Sequence, residues 1–111
     1  MSNNIIKIAI VIPVFNRVET TLNCLRQLQE IDKNGAEFNF IIVDDGSTDG
    51  TADAVKTHFP DSIVLMGDGN LWWTGAINMG AEYALKSDFD YVLCLNDDLE
   101  FDDKFLTELL T

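Results

Sequence analysis

Basic residues are scarce. Lysine and arginine number 7 against 19 aspartates and glutamates, giving a formal net charge of -12. So few cations cannot build a surface that offsets phosphate charge, which excludes nucleic acid and anionic lipid as partners. The acidity suits solubility and, locally, a site that takes up cations. Cysteine is nearly absent. Cys24 and Cys94 lie far apart in no metal-ligand spacing. Both are expected as small core residues in a reducing, cytoplasmic compartment. The single histidine, His58, falls near the end of an expected helix and receives no role. A long apolar run is also missing. The stretch IIKIAIVIPVF is too short to cross a bilayer and Lys7 interrupts it, so it is expected as a strand. Any membrane association would come through a region outside these 111 residues.

Apolar residues still make up 47% of the chain, enough for one domain with one core. Their arrangement alternates between two periods. Residues 5–12 are rich in β-branched side chains and are expected as a first strand stopped by Pro13. Asn16, with Glu19 three positions on, resembles a capping box, and Val18, Leu22, Leu25 and Leu28 follow at helical spacing. Residues 38–43 form the expected body of a second strand, and Ser47 or Thr48 is expected to cap a helix with Ala52, Val55 and Phe59 inward. A third strand is expected over 62–66, a loop through GDGNLWWTG, and a helix over 74–86. Residues 91–95 read as a fourth strand buried on both faces, and 101–110 as the start of one more helix. Strands that are apolar runs joined by helical crossovers predict a mostly parallel sheet in a Rossmann-like three-layer α/β/α sandwich.

In such a sheet, ligands bind beyond the carboxyl ends of the strands. Pro13, Phe15 and Asn16 follow the first strand, Asp44 and Asp45 the second, Asp68 and Gly69 the third, and Asn96, Asp97 and Asp98 the fourth. In VDDGSTDGT a strand-to-helix turn accounts for Gly46 and Ser47 but not for two aspartates before the glycine. A carboxylate there can also accept from a nucleobase or a ribose hydroxyl. Asp97 and Asp98 repel each other unless a positive group or water lies between them. A solvated turn accounts for an isolated pair; Mg²⁺ or Mn²⁺ held by carboxylates and phosphate oxygens accounts for a pair on a shared rim. Gly69 and Gly75 permit close backbone approach. Trp72 and Trp73 are costly to expose, so they are expected at a pocket wall or at a subunit contact of a homo-oligomer, unless they fold back on the core.

Taken together, IVIPVFNR, IIVDDGSTDGT, GNLWWTGAINMG and YVLCLNDDLEF resemble family 2 of the inverting nucleotide-sugar glycosyltransferases, with the GT-A fold, in a rhamnosyltransferase-like form. The resemblance implies that Pro13 and Phe15 flank a nucleobase, with Asn16 nearby. It implies that Asp45 hydrogen-bonds the base with Asp44 beside it, and that Asp68, Gly69 and Gly75 border the nucleotide. Asp97 would face the ribose or sugar. Asp98, with Asp97, would hold Mg²⁺ or Mn²⁺ in a DXD-like motif of Asn-Asp-Asp form. The implied donor is a nucleotide-diphosphate sugar, UDP- or dTDP-linked by preference, and the implied acceptor a glycan or lipid-linked hydroxyl in polysaccharide synthesis. Family members continue past the metal motif into an acceptor pocket with a general base. Residues 1–111 are therefore expected to be the donor-binding part alone, with the base beyond Thr111. A non-catalytic nucleotide-binding module is the alternative. A receiver-like Mg²⁺-binding signalling domain fits less well, because its acid pair would follow the first strand. A dinucleotide-binding enzyme lacks its Gly-x-Gly-x-x-Gly after that strand.

Overall fold

The computed structural model describes residues 5–31 and 35–98. The helix expected over 101–110, with Glu100, Asp102 and Asp103, lies outside them. Along the chain run β1 (Lys7–Val14), α1 (Val18–Glu30), β2 (Glu37–Asp44), α2 (Thr51–His58), β3 (Ile63–Met66), α3 (Trp72–Leu85) and β4 (Tyr91–Cys94). All strand pairs are parallel, in the order β3-β2-β1-β4. This is not the flavodoxin-like order 2-1-3-4-5 shared by receiver-like domains, which removes that alternative.

The chain steps outward from β1 to β2 to β3, then returns past β1 to form β4. A crossover that keeps its hand must change faces when it reverses direction. Accordingly Ile8, Ile10, Ile12 and Ile42 pack with Leu22, Leu25, Leu28 and Val55 of α1 and α2, whereas Ala9, Val11, Ile41 and Val43 pack with Ala76 and Ala84 of α3. The three layers predicted from the alternation are present. The α3 face is built from small residues. A Cβ on Gly80 would collide with Val11 and lie 3.2 Å from Val43 Cγ2, so α3 sits directly on the sheet because Gly80 has no side chain.

Four local expectations are corrected. Pro13 does not stop β1 but lies inside it, paired in register with Val43. Val11 accepts from Leu95 N–H and Val14 from Asp45 N–H, so odd positions of β1 face β4 and even ones β2. Pro13 thus turns its missing N–H toward β4, one step past the Leu95 N–H bond to Val11, where the β1–β4 pairs end, while the β1–β2 ladder continues to Val14. Asn16 does not cap α1; Arg17 holds the N-cap position and makes no side-chain capping bond. Residues 72 and 73 open α3 rather than closing a loop. β4 is an edge strand among the described residues, with Tyr91 and Val92 exposed, and Cys94 is exposed where a core cysteine was expected. Cys24 is buried, as expected. No helix among the described residues is long and apolar enough to cross a membrane.

Candidate functional site

The reversal of direction leaves β1 and β4 adjacent, with connections running to opposite sides. That is the switch point at which open parallel sheets bind ligands. A cavity of about 520 Å³ opens there. Its walls come from Pro13 near the end of β1, Phe15 and Arg17 after it, Asp45 and Gly69 from the next two strand ends, Trp72 and Trp73 at the head of α3, and residues 96–98 after β4. The volume lies within the range of small-molecule sites. Asp45 and Asp98, distant in sequence, line the same cavity.

Each wall is held by identifiable bonds. Asp45 closes the β3–α3 connection. Its Oδ1 accepts from Gly69 N–H at 2.8 Å, and its Oδ2 from Leu71 and Trp72 N–H at 3.1 Å each. Leu71 is right-handed and Trp72 left-handed at φ 58°, so successive amides converge in an anion-binding nest that the Asp45 carboxylate fills. A left-handed tryptophan is strained. Here the carboxylate compensates that strain and also faces the positive end of α3. Trp73 Nε1–H donates to Asn96 Oδ1 at 2.7 Å, tying α3 to the end of β4. Trp72 is 78% exposed and Trp73 54%, so both tryptophans stand at the pocket wall, as expected.

The β1–α1 loop is fastened by the segment following β2. Asn16 N–H donates to Ser47 Oγ at 2.8 Å, and Asn16 Oδ1 accepts from Thr48 N–H at 2.7 Å. Asp49 bridges two helices, accepting from Val18 N–H at the start of α1 and from Thr51 N–H and Oγ1–H at the start of α2. Asp49, not Ser47 or Thr48, therefore supplies the capping carboxylate, and these bonds hold its carboxyl below the ordinary range. Gly46 at φ 90° presses on the Gly69 backbone, where a Cβ would lie 3.1 Å from Gly69 Cα.

Asp97 is 5% exposed. It accepts from Thr21 Oγ1–H at 3.1 Å and lies 3.4 Å from Arg17 Nη1, whose other nitrogen, Nη2, is 3.8 Å from the exposed Asp98. Burial pushes the Asp97 carboxyl upward. Arg17 and the Thr21 bond oppose this, and the Asp98 charge adds to it. The same surroundings push the Cys24 thiol up to about 12, first by burial and then by the charges of Asp97 and Asp98, so this thiol is inert. In this structure the positive group beside the two carboxylates is Arg17.

Of the residues singled out in the sequence, Pro13, Phe15, Asp45, Gly69, Asp97 and Asp98 share the cavity. Asn16, Asp44, Asp68 and Gly75 do not line it. Asn16 is committed to the neighbouring loop. Asp44 is fully buried on the α1/α2 side of β2, where Oδ1 accepts from Ser47 N–H and Oδ2 has no partner among the described residues. Asp68 is exposed and bonds Asn70 N–H at 2.8 Å. Gly75 faces the Leu71 side chain, where a Cβ would be 3.2 Å from Leu71 Cβ.

Residues 9–111 match the model of the family described as Glycosyl transferase family 2. The chain belongs to glycosyl transferase family 2. No curated protein gives a match. Among solved structures, the mannosyltransferase PcManGT from Pyrobaculum calidifontis, in complex with GDP-Man and Mn²⁺, is similar with a TM-score of 0.71 and 19% identity. That likeness covers 87% of this chain and 29% of that one. TarS 1-349 from S. aureus is similar with a TM-score of 0.62 and 24% identity over 95% of this chain and 31% of that one. At these identities the likeness is one of fold, the parallel GT-A sandwich, and the chain spans less than a third of either structure's length. This family 2 domain has one cavity-wall cation that motif reading passed over. Arg17 is the last residue of IVIPVFNR, and only the adjacency of β1 and β4 shows what it faces.

Proposed function

We propose that this cavity binds the nucleoside diphosphate of a sugar donor, and that residues 1–111 form the donor-binding part of an inverting, divalent-metal-dependent glycosyltransferase. The observation that carries the proposal is one cavity at the switch point, lined both by the exposed rings of Phe15, Trp72 and Trp73 and by Asp97 and Asp98. Planar rings suit a base or sugar face, and carboxylates suit a cation that bridges phosphates.

The acids fit Mg²⁺ or Mn²⁺ in a particular way. Asp98 is exposed at the cavity and Asp97 adjoins it, but no third His, Cys, Asp or Glu converges on them among the described residues. A cation here would take its remaining ligands from the donor's phosphates and water, so it binds weakly alone and better with nucleotide. When bound, it neutralises charge on the departing diphosphate. The chain's own residues do the rest. Pro13 and Phe15 border the base, Trp72 and Trp73 exclude water from the opposite wall, and Asp97 faces the ribose or sugar. Asp45 acts mainly through the loop it holds, because its oxygens are engaged by backbone amides. The acceptor hydroxyl, on a glycan or lipid-linked acceptor, would attack the anomeric carbon after losing its proton to a base outside this chain. Isolated, the chain would bind donor without transferring sugar.

UDP and dTDP remain the preferred diphosphates, and GDP is added because the Pyrobaculum calidifontis relative was solved with GDP-Man. Calorimetric titration of each nucleotide, with and without Mn²⁺, tests the proposal. One of them should bind at least about 10-fold tighter with Mn²⁺, and Asp98→Ala should remove that gain. Equal affinities for wild type and Asp98→Ala at saturating Mn²⁺ would reject the metal role.

A further inference from the structure

Two adjacent carboxylates at the end of β4 are bridged by one guanidinium, Arg17 Nη1 to Asp97 and Nη2 to Asp98. Arg17 is half exposed, lines the cavity, and begins α1 without a side-chain capping bond of its own. Asp97 is fixed by burial and by Thr21; Arg17 and Asp98 are the exposed partners. A divalent cation held by Asp98 and Asp97 would occupy the space that the guanidinium fills, and the like charges would repel.

We propose that Arg17 is a built-in competitor for the divalent cation. It neutralises Asp97 and Asp98 in the empty site and moves onto the donor's diphosphate when the cation and nucleotide enter together. This rests on the metal reading above and adds the residue that couples the two ligands. Charge has to be balanced locally at this half-exposed site. Without nucleotide, binding the cation breaks the Arg17 ion pairs and leaves the guanidinium unpartnered beside a new positive charge. With nucleotide, the diphosphate brings negative oxygens that a planar fork of donors can grip. Arg17 is thus a positioning residue whose two partners make metal and nucleotide binding mutually favourable. By linkage, each ligand strengthens the other by the same factor.

The test is a binding cycle on the intact protein, with Mn²⁺ followed by its paramagnetic resonance signal and nucleoside diphosphate by calorimetry. The variants are Arg17→Gln and Arg17→Lys, with circular dichroism confirming the fold. Arg17→Gln should bind Mn²⁺ alone about 3- to 10-fold tighter than wild type, the size expected when exposed ion pairs need no longer be broken. It should bind nucleotide at saturating Mn²⁺ about 10-fold more weakly, as one charge-assisted contact is lost. The factor by which nucleotide strengthens Mn²⁺ binding should therefore fall. Arg17→Lys should restore the competition with Mn²⁺ but only part of the nucleotide affinity. If wild type binds Mn²⁺ with nucleotide and Arg17→Gln binds Mn²⁺ alone no tighter, competition is overturned while the metal reading stands. Tighter Mn²⁺ with an unchanged coupling factor overturns the transfer onto the diphosphate. If no variant binds Mn²⁺ under any condition, the metal reading itself fails.

Discussion

The chain has two pairs of adjacent aspartates at strand ends, and they are treated in opposite ways. Asp44 and Asp45 end β2, and their bonds go to the protein's own backbone. Asp44 turns inward to Ser47 N–H, and Asp45 turns outward to the amides that open α3. Asp97 and Asp98 follow β4 and, among the described residues, are compensated by Thr21 and by one half-exposed guanidinium rather than by backbone amides of another residue. An acid saturated by backbone amides is architecture. An acid balanced only by a flexible cation can exchange that cation for another. The difference lies in the partners, not in the residue type or in the spacing.

The largest expected effect comes from breaking the first pair at Asp45. Asp45→Ala removes the acceptor for three loop amides and the compensation for the left-handed Trp72. A loss of about 2 kcal/mol in urea unfolding is expected, at the upper end for a lost cap, together with weaker nucleotide binding even without metal. A nucleotide effect with no loss of stability would show that Asp45 touches ligand rather than holding the loop. Asp44→Ala should cost somewhat less, about 1 kcal/mol, because it forfeits the one Ser47 bond while also removing an oxygen that has no partner among the described residues.

The second pair should behave differently. Burial raises the Asp97 carboxyl above its ordinary value of 3.8. A group with a raised folded value contributes its full stability below 3.8 and loses it as pH rises through the folded value. Asp97→Asn, which cannot ionise, should therefore melt at or above the wild-type temperature at pH 7. The advantage should fade as pH falls toward 4, read by melting curves across that range. A clear drop in melting temperature at pH 7 would mean that the Arg17 ion pair outweighs burial. Asp98→Ala should alter unfolding free energy least, by less than about 0.5 kcal/mol, since the side chain is exposed and its ion pair is long.

Sequence pattern was enough for the layered sandwich, because apolar runs and helical spacing each report one element at a time. It also placed Asp45 and Asp98 on one rim, since parallel strands send all their carboxyl ends the same way. What it could not show depends on strand order. Nothing in IVIPVFNR distinguishes Arg17 from any loop arginine until β4 is seated beside β1. Likewise Asp45 and the amides of 69–72 meet only because β3 lies next to β2. Asn16 carried a standard capping signal but bonds the segment after β2 rather than the helix it adjoins, while Asp49, with no such reading, holds the starts of both α1 and α2. Pro13 was misplaced for a related reason. Proline removes only the bond its own N–H would make, here on the β4 side, and the β1–β2 ladder runs on past it to Val14.

The contrast between the two acid pairs is tested most directly by mapping where Mn²⁺ goes. Amide resonances of the isotopically labelled protein, saturated with nucleoside diphosphate, can be followed as trace Mn²⁺ is added. Paramagnetic broadening should be strongest at residues 96–98, with residue 17 beside them next, and weaker at 44–45 and at the amides of 69–72 that Asp45 holds. Broadening centred on 44–49 instead would show that the first pair, not the second, is the one that holds the metal.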